Sequence, residues 1–206
     1  MMQERKFKAA IFDGGGIFSM AADTGGNRYW EHKLGLLEGG LKQLITPEIS
    51  KQANLGLISE EKAWELALKP LGLDAGTRLE VATDFWAGAY LDYDMAALIE
   101  RVHTSGILTA LLSNAWIGAR ASHTALGWNR LLKFDVQMFS AEEGMKKPDP
   151  NFYNLCLDRL GVSARETIFI DDALVNVEAA RQLGITAIHY KNKRRDIPKI
   201  ERLLGL

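Results

Sequence analysis

Five short apolar runs constrain the fold of this chain more than any other feature of its sequence. The runs are residues 7–12, 107–112, 135–139, 167–170 and 185–190. Most are continuous in apolar residues, a pattern typical of strands buried on both faces of a parallel sheet. Helical patterns separate the last four runs, and those at 150–160 and 173–183 each end just before a glycine. The sequence therefore predicts an α/β fold with a doubly wound (Rossmann-like) parallel sheet of about five strands.

The long connection between the first two strands departs from this pattern. Residues 20–92 contain several helical patterns and no convincing strand; one helix is expected at Thr46, a capping residue followed by proline. A connection of this length in a compact domain needs structure of its own. We therefore predict a core domain at 1–19 and 93–206, with a small helical cap at 20–92 inserted after the first strand.

The composition describes an ordinary globular chain and excludes two classes of partner. Of its 206 residues, 47% are hydrophobic and 25% are charged, and a net charge of −1 offers no basic face for nucleic acid. No apolar run approaches the ~20 residues that span a bilayer, and the charged start does not resemble a signal peptide. We therefore expect a cytoplasmic protein that binds neither nucleic acid nor membrane.

Polar side chains follow the carboxyl ends of the predicted strands. They are Asp13 after the first strand, Ser113 and Asn114 after the second, Lys147 in the segment after the third, and Asp171 and Asp172 after the fourth. Open α/β sheets bind ligands outside these strand ends. Carboxylates packed closely together resist ionisation unless a cation neutralises them, and Mg²⁺ prefers oxygen ligands of this kind. Such a site could hold a phosphoryl group while a carboxylate attacks it.

The four segments, in this order, resemble the haloacid dehalogenase superfamily. The resemblance covers the core, about residues 7–18 and 107–190, whereas the cap is similar only in position and helical character. The segments LLSNAW, KKPDPNFY and FIDDALVNVEAARQLG are most similar to the group that contains the phosphatase domain of soluble epoxide hydrolases and bacterial sugar-phosphate phosphatases. The resemblance implies a Mg²⁺-dependent phosphatase that acts on a small phosphorylated substrate.

The resemblance implies a role for each metal-site residue. Asp13 would be both the nucleophile and a metal ligand, and Gly15 would offer its backbone carbonyl to the metal. Asp172 would bind Mg²⁺ directly, with Asp171 supporting it through water or as a second ligand.

The resemblance also implies how the phosphate is held. Ser113 and Asn114 would hydrogen-bond to the transferring phosphoryl oxygens, and Lys147 would neutralise the nucleophile and the phosphate. Lys147 is preferred to Lys146 because it immediately precedes the Pro-Asp-Pro sequence. Asn176, one turn into the next helix, would support the acidic loop.

Gly15 departs from the family pattern. The family usually has a second aspartate at this position, which serves as general acid and then as base; such help is typically worth ~10²–10⁴ in rate. Three interpretations stay open. The substrate has a good leaving group, as in anomeric sugar phosphates and acyl phosphates; water or a cap residue such as His32 or Asp23 replaces the acid; or the protein is a catalytically weakened one that binds a phosphorylated ligand.

A metal-independent 2-haloacid dehalogenase is the other enzyme class that this scaffold suggests. Relatives with that activity lack the paired acids after the fourth strand, so Asp171 and Asp172 favour phosphoryl chemistry. The substrate is not readable from the sequence, and a monomer or a homodimer is equally compatible with it.

Several other side chains are given an interpretation from their position alone. Trp86, Trp116 and Trp128 are interpreted as packing residues, whereas Arg28 and His32 in the cap are candidates for contact with the substrate.

Overall fold

Seven strands and twelve α-helices lie in residues 6–206, the part of the chain that the computed structural model describes. The strands are β1 (Ala9–Phe12), β2 (Ser19–Ala21), β3 (Ala89–Leu91), β4 (Leu108–Ser113), β5 (Val136–Phe139), β6 (Thr167–Asp171) and β7 (Thr186–His189). The first six helices are α1 (Gly26–Lys33), α2 (Gly40–Leu44), α3 (Pro47–Asn54), α4 (Glu60–Leu68), α5 (Ala75–Trp86) and α6 (Tyr93–Thr104). The other six are α7 (Ala119–Ala125), α8 (Trp128–Leu131), α9 (Ser140–Glu143), α10 (Pro150–Leu160), α11 (Leu174–Gln182) and α12 (Lys193–Leu204).

The five strands expected from the apolar runs form one parallel sheet in the order β5-β4-β1-β6-β7. Successive residues of β1 point to opposite faces, so Ile11 packs into one hydrophobic core and Phe12 into the other. Helices α6 and α12 cover the Phe12 face, while α10 and α11 cover the Ile11 face. The predicted doubly wound α/β fold is therefore confirmed.

The segment expected to be a helical cap contains α1 to α5 and a hydrophobic cluster of its own. The buried members of this cluster are Trp30, Leu41, Trp64, Ala67, Leu68 and Val81. Capping residues begin two of the helices, because Thr46 accepts a hydrogen bond from the amide of Ile49 and Ser59 accepts one from the amide of Lys62.

The expectation that residues 20–92 contain no strand is wrong. Strands β2 and β3 pair antiparallel, with Ser19 opposite Leu91, and they form the two chain connections between the sheet and the five helices. Each strand has three residues, too few to show an alternating pattern, and the two partners lie about 70 positions apart in the sequence. Gly88 permits this close pairing because a Cβ atom there would lie 2.1 Å from the carbonyl oxygen of Ala22.

Among residues 6–206, no helix is both long enough and apolar enough to cross a membrane.

Candidate active site

Three neighbouring strands bring the predicted polar residues to one edge of the sheet. Strand β1 lies between β4 and β6, so Asp13, Ser113 and Asp171 follow or end adjacent parallel strands. The amide of Asp13 donates to the carbonyl of Ile170, which extends the pairing of β1 with β6 to the site itself.

Lys147 lies between two carboxylates at this edge. Its Nζ is 2.6 Å from Asp13 Oδ1 and 2.7 Å from Asp171 Oδ2, and its side chain is only 1% exposed. A buried ammonium of this kind needs negative partners, and here it has two. The structure therefore brings together Asp13, Asp171 and the lysine that the sequence favours over Lys146.

Asp171 is fully buried, and both of its carboxylate oxygens accept hydrogen bonds. Its Oδ1 accepts from the amide of Ala173 at 2.8 Å and from Asn176 Nδ2 at 3.1 Å, while Oδ2 accepts from Lys147 and again from Asn176. Asn176 is fixed in turn, because its carbonyl accepts a hydrogen bond of 3.0 Å from the hydroxyl of Tyr153. The sequence gives no signal for this role of Tyr153, because a tyrosine in the apolar stripe of a helix is typical of a residue that only packs in the core.

Asp172 is the more exposed of the two neighbouring acids. One oxygen each of Asp13, Asp171 and Asp172 lies within 4.8 Å of the others. His189, the last residue of β7, places Nε2 2.9 Å from the carbonyl oxygen of Asp172 and so supports the turn that carries it.

The electrostatics of the three acids indicate a site for a cation. The pKa of Asp13 is raised to about 6, chiefly by burial; the Lys147 ammonium opposes this rise and the Asp171 carboxylate adds to it. Burial also raises the pKa of Asp172, and Asp171 adds to that shift. One lysine does not offset the mutual repulsion of three carboxylates.

The donor atoms suit Mg²⁺. Asp171 already receives donors at both oxygens, but no side chain among residues 6–206 donates to Asp13 Oδ2 or to the Asp172 carboxylate. One oxygen of Asp13 and the carboxylate of Asp172, which receive no side-chain donor among these residues, match the preference of a small hard cation.

The glycines after Asp13 differ in what they permit. Gly16 has a φ of +74°, and a Cβ atom there would lie 2.4 Å from Asp172 Oδ2, so only glycine allows the acid to approach this turn. A Cβ atom at Gly15, by contrast, would meet nothing within 4 Å. Position 15 therefore has open space for a side chain, and glycine is not required there by packing.

The two residues predicted to bind phosphate behave differently. Ser113 is buried beside the glycine turn, with Oγ 3.0 Å from the position of a Cβ atom on Gly14. The side chain of Asn114 instead pairs with the main chain of Lys147: Oδ1 accepts from its amide at 2.8 Å and Nδ2 donates to its carbonyl at 2.9 Å.

The cap candidates lie at the surface. Arg28 forms an exposed ion pair with Asp23 at 2.8 Å, and His32 is exposed on α1. Within the part of the chain that the structure describes, no hydrogen bond or ion pair joins these three residues to the Asp13 site.

Aromatic rings connect the loop that follows β4, called here the active-site loop, to helices α4 and α5. Trp116, three residues after Ser113, has its ring centroid 5.8 Å from that of Trp86 and 6.3 Å from that of Trp64. Trp128 packs in the core, as its interpretation required, but Trp86 is 49% exposed and offers an open apolar face.

The haloacid dehalogenase-like hydrolase family matches residues 21–184, about four fifths of the chain. The chain belongs to this family. The resemblance seen in the four motifs is thereby confirmed. A sesquiterpene phosphatase, astK from Aspergillus oryzae, is 30% identical over 97% of this haloacid dehalogenase-like chain and 97% of its own length.

Two further proteins are similar to this haloacid dehalogenase-like hydrolase. Bifunctional epoxide hydrolase 2 from Sus scrofa is 24% identical over 97% of the chain, which spans 39% of that protein's length. A haloacid dehalogenase family enzyme from Bacteroides thetaiotaomicron, solved with magnesium and inorganic phosphate, superposes with a TM-score of 0.72. That structure covers 90% of this chain and 94% of its own at 19% identity, which shows the shared fold. The protein is a hydrolase, and its phosphatase relatives support phosphatase-type activity.

Proposed function

We propose that this hydrolase is a Mg²⁺-dependent phosphatase that cleaves a small phosphorylated substrate through an aspartyl-phosphate on Asp13. One observation carries the proposal: Lys147 joins Asp13 to Asp171, while Asp172 presents its carboxylate to the same space. A buried nucleophilic carboxylate, a fixed ammonium and further acids that can hold a cation are the parts that phosphoryl transfer needs.

The chemistry divides into two displacements at phosphorus. One carboxylate oxygen of Asp13 attacks the phosphoryl group, and the bond between phosphorus and the ester oxygen breaks, so that the organic group leaves with that oxygen and its electron pair. Water then attacks the phosphorus of the aspartyl-phosphate, which releases inorganic phosphate and restores the Asp13 carboxylate. Lys147 lies between two carboxylates, and its ammonium stabilises the charge that develops on the phosphoryl oxygens.

Asp13, Asp172 and the backbone carbonyl of Gly15 would hold the metal, and Asp171 would support them. Bound there, Mg²⁺ would offset the charge of the phosphate and of the clustered acids. Because burial outweighs the Lys147 ammonium and the pKa of Asp13 is raised to about 6, a cation beside it would keep the nucleophile ionised at neutral pH.

Gly15 limits the leaving groups that such a site can expel. Asp171 is occupied by three donor groups and Lys147 by two carboxylates, so neither is free to protonate a departing alkoxide. We infer that good leaving groups react first and that unactivated alkoxides depart slowly.

The substrate's organic group is proposed to be apolar. The relative astK is named a sesquiterpene phosphatase, and it aligns with the chain from end to end. In this chain Trp116 and the half-exposed Trp86 extend from the active-site loop into the cap, where an apolar group would cover them. Sugar phosphates are the alternative class, and the aromatic faces offer them fewer hydrogen bonds.

A binding protein with little turnover is the second candidate. The observation that favours it is the open space at Gly15, where the side chain that normally moves the proton is missing.

A substrate panel tests both candidates. Phosphate release is measured with Mg²⁺, and with chelator added, for a sesquiterpenyl phosphate, sugar 1-phosphates, sugar 6-phosphates, an acyl phosphate and p-nitrophenyl phosphate. We expect Mg²⁺-dependent release that is fastest with the apolar or activated substrates. Absence of release across the panel, with retained binding of phosphate, would support the binding protein. Chloride release from a 2-haloacid, unaffected by chelator, would instead indicate a dehalogenase and overturn the proposal.

A further inference from the structure

The Asn114 side chain binds a single residue through both of its polar atoms. Asn114 is the first residue after β4, and Lys147 lies 33 positions later, between α9 and α10. Oδ1 accepts from the Lys147 amide at 2.8 Å, and Nδ2 donates to the Lys147 carbonyl at 2.9 Å. The side-chain amide of Asn114 therefore pairs with the amide and the carbonyl of Lys147, as a residue of a neighbouring β-strand would.

Within the part of the chain that the structure describes, the hydrogen bonds of the Lys147 main chain go to Asn114 alone. Among residues 6–206, its amide and carbonyl form no further hydrogen bond, and the nearest main-chain bond in this segment runs from the amide of Asp149 to the carbonyl of Lys146. The segment from Gly144 to Asp149 has no regular secondary structure. The Asn114 side chain thus supplies both hydrogen bonds of the Lys147 main chain.

The loop that carries Asn114 is itself fixed. Ser140, which is fully buried, accepts a hydrogen bond from the amide of Ala115 at 3.0 Å and donates one to the carbonyl of Ala115 at 3.2 Å. The residue next to Asn114 is thereby tied to the start of α9. Asn114 can transmit this fixed position to Lys147, because both ends of its own side chain are engaged.

The Lys147 side chain has to reach two carboxylates from one main-chain position. Its flexible side chain has four rotatable bonds, yet Nζ must lie within hydrogen-bond distance of Asp13 and of Asp171 at the same time. A small displacement of its main chain would move Nζ away from one of the two carboxylates. Displacements of about 1 Å at reacting groups can cost on the order of 100-fold in rate.

We propose that Asn114 is a positioning residue that acts on phosphoryl transfer through Lys147 and does not bind the phosphate through its side chain. The role in transfer rests on the proposed phosphatase function, whereas the effect on Lys147 does not. The two hypotheses for Asn114 differ in one respect: a phosphate ligand contributes whether or not Lys147 is present, and a positioning residue does not.

A double-mutant cycle measures this difference. The variants are Asn114→Ala, Lys147→Met and their combination, with Asn151→Ala as a matched control, since Asn151 is an exposed asparagine in the same region. The affinity for inorganic phosphate is measured by calorimetry in the presence of Mg²⁺, together with kcat and KM for the best substrate of the panel. Thermal unfolding of each variant reports whether it is folded.

We expect Asn114→Ala to lower kcat about 10- to 100-fold with a smaller change in KM. In the Lys147→Met background, we expect the same substitution to leave phosphate affinity unchanged within twofold. An equal loss of phosphate affinity in both backgrounds would overturn the proposal and assign a direct phosphate contact to Asn114.

A second variant tests the proposal if Asn114→Ala does not fold, and a second measurement tests it if the protein hydrolyses no phosphate ester. Asn114→Asp has the same shape and retains the acceptor for the Lys147 amide, and it is judged by the same cycle if Asn114→Ala unfolds. Amide hydrogen exchange by NMR follows the Lys147 N–H directly, and we expect faster exchange in Asn114→Ala. Unchanged exchange would overturn the proposal even if the protein hydrolysed no phosphate ester, so its failure is distinguishable from failure of the phosphatase function.

Discussion

The ammonium of Lys147 lies 2.6 Å from Asp13 Oδ1, and this ion pair is almost completely buried. The pair opposes the effect of burial, but burial is the larger effect and the pKa of Asp13 is still raised to about 6. A further positive charge beside such a carboxyl lowers its pKa, because a cation stabilises the ionised form.

The pH dependence of turnover should therefore depend on Mg²⁺. Since Asp13 must be ionised to attack, kcat/KM should fall as the pH drops through the pKa of Asp13, near 6 at limiting Mg²⁺. Bound cation lowers that pKa, so the acidic limb should move to lower pH as Mg²⁺ increases. Rate profiles over pH at several Mg²⁺ concentrations check this, and a limb that does not move would show that the metal does not touch Asp13.

Gly15→Asp should accelerate the hydrolysis of substrates with poor leaving groups. A Cβ atom at position 15 would meet nothing within 4 Å, so a side chain can be attached there without a clash at its first atom. A proton donor there is worth ~10²–10⁴ for an unactivated alkoxide and much less for p-nitrophenolate. Rates for alkyl and p-nitrophenyl phosphates are compared across wild type, Gly15→Asp and Gly15→Asn. Equal effects of the two variants would show that shape, and not proton transfer, is responsible.

Trp86→Ala should weaken binding of a substrate with an apolar organic group. The Trp86 ring is 49% exposed and contacts Trp116 beside the active-site loop. Loss of its face should raise KM for a sesquiterpenyl phosphate about 2- to 10-fold and leave KM for p-nitrophenyl phosphate nearly unchanged. Tyr90→Ala, at another exposed aromatic residue of the cap connection, is the control. If KM for the sesquiterpenyl phosphate is the same in wild type and Trp86→Ala, as it should be for p-nitrophenyl phosphate, Trp86 does not bind the apolar group of the substrate.

Asp196 should contribute to stability in a pH-dependent way. Its Oδ2 accepts from the amides of Lys191 and Asn192 at the start of α12, and Arg195 pairs with the same carboxylate. The hydrogen bond from Arg195, with the two amides, holds the pKa of Asp196 well below its usual range. A depressed pKa means that the stabilisation is present above about pH 4, the unfolded value, and is lost as the pH falls below it toward the folded value.

Asp196→Asn should lower the free energy of unfolding at pH 7 by about 1–3 kcal/mol. Urea unfolding at pH 7 and pH 3 measures this, and we expect the difference from wild type to shrink at pH 3. Asp158→Asn, at an exposed position of α10 without a side-chain partner among the described residues, should have no such effect. An undiminished difference at pH 3 would contradict the role assigned to the Asp196 carboxylate.

The sheet could be predicted from the sequence because its signal is local. Residues such as Ile11 and Phe12 lie in a continuous apolar run, which is required when both faces of a strand are covered. The polar residues at the strand ends could be predicted to meet for the same reason, since parallel neighbouring strands end at one edge. Strands β2 and β3 could not, because each is three residues long and its partner is distant in the sequence.

The internal geometry of the site was not readable from residue types. An asparagine after a strand suits a phosphate as well as it suits a peptide, so its residue type does not predict that the Asn114 side chain binds Lys147. Tyr153 and His189 act through the main-chain carbonyls of Asn176 and Asp172, contacts that leave no sequence pattern. The exposure of Trp86 likewise depends on how the cap helices pack.

Asp13 as the phosphorylated nucleophile is the centre of this account, and acid quenching during turnover tests it most directly. Mass spectrometry of the quenched protein, digested to peptides, should find a phosphoryl group on the peptide that contains Asp13, and Asp13→Asn should lose both this adduct and phosphate release while retaining the thermal stability of a folded protein. Phosphate release by Asp13→Asn at a rate close to that of wild type would contradict the account.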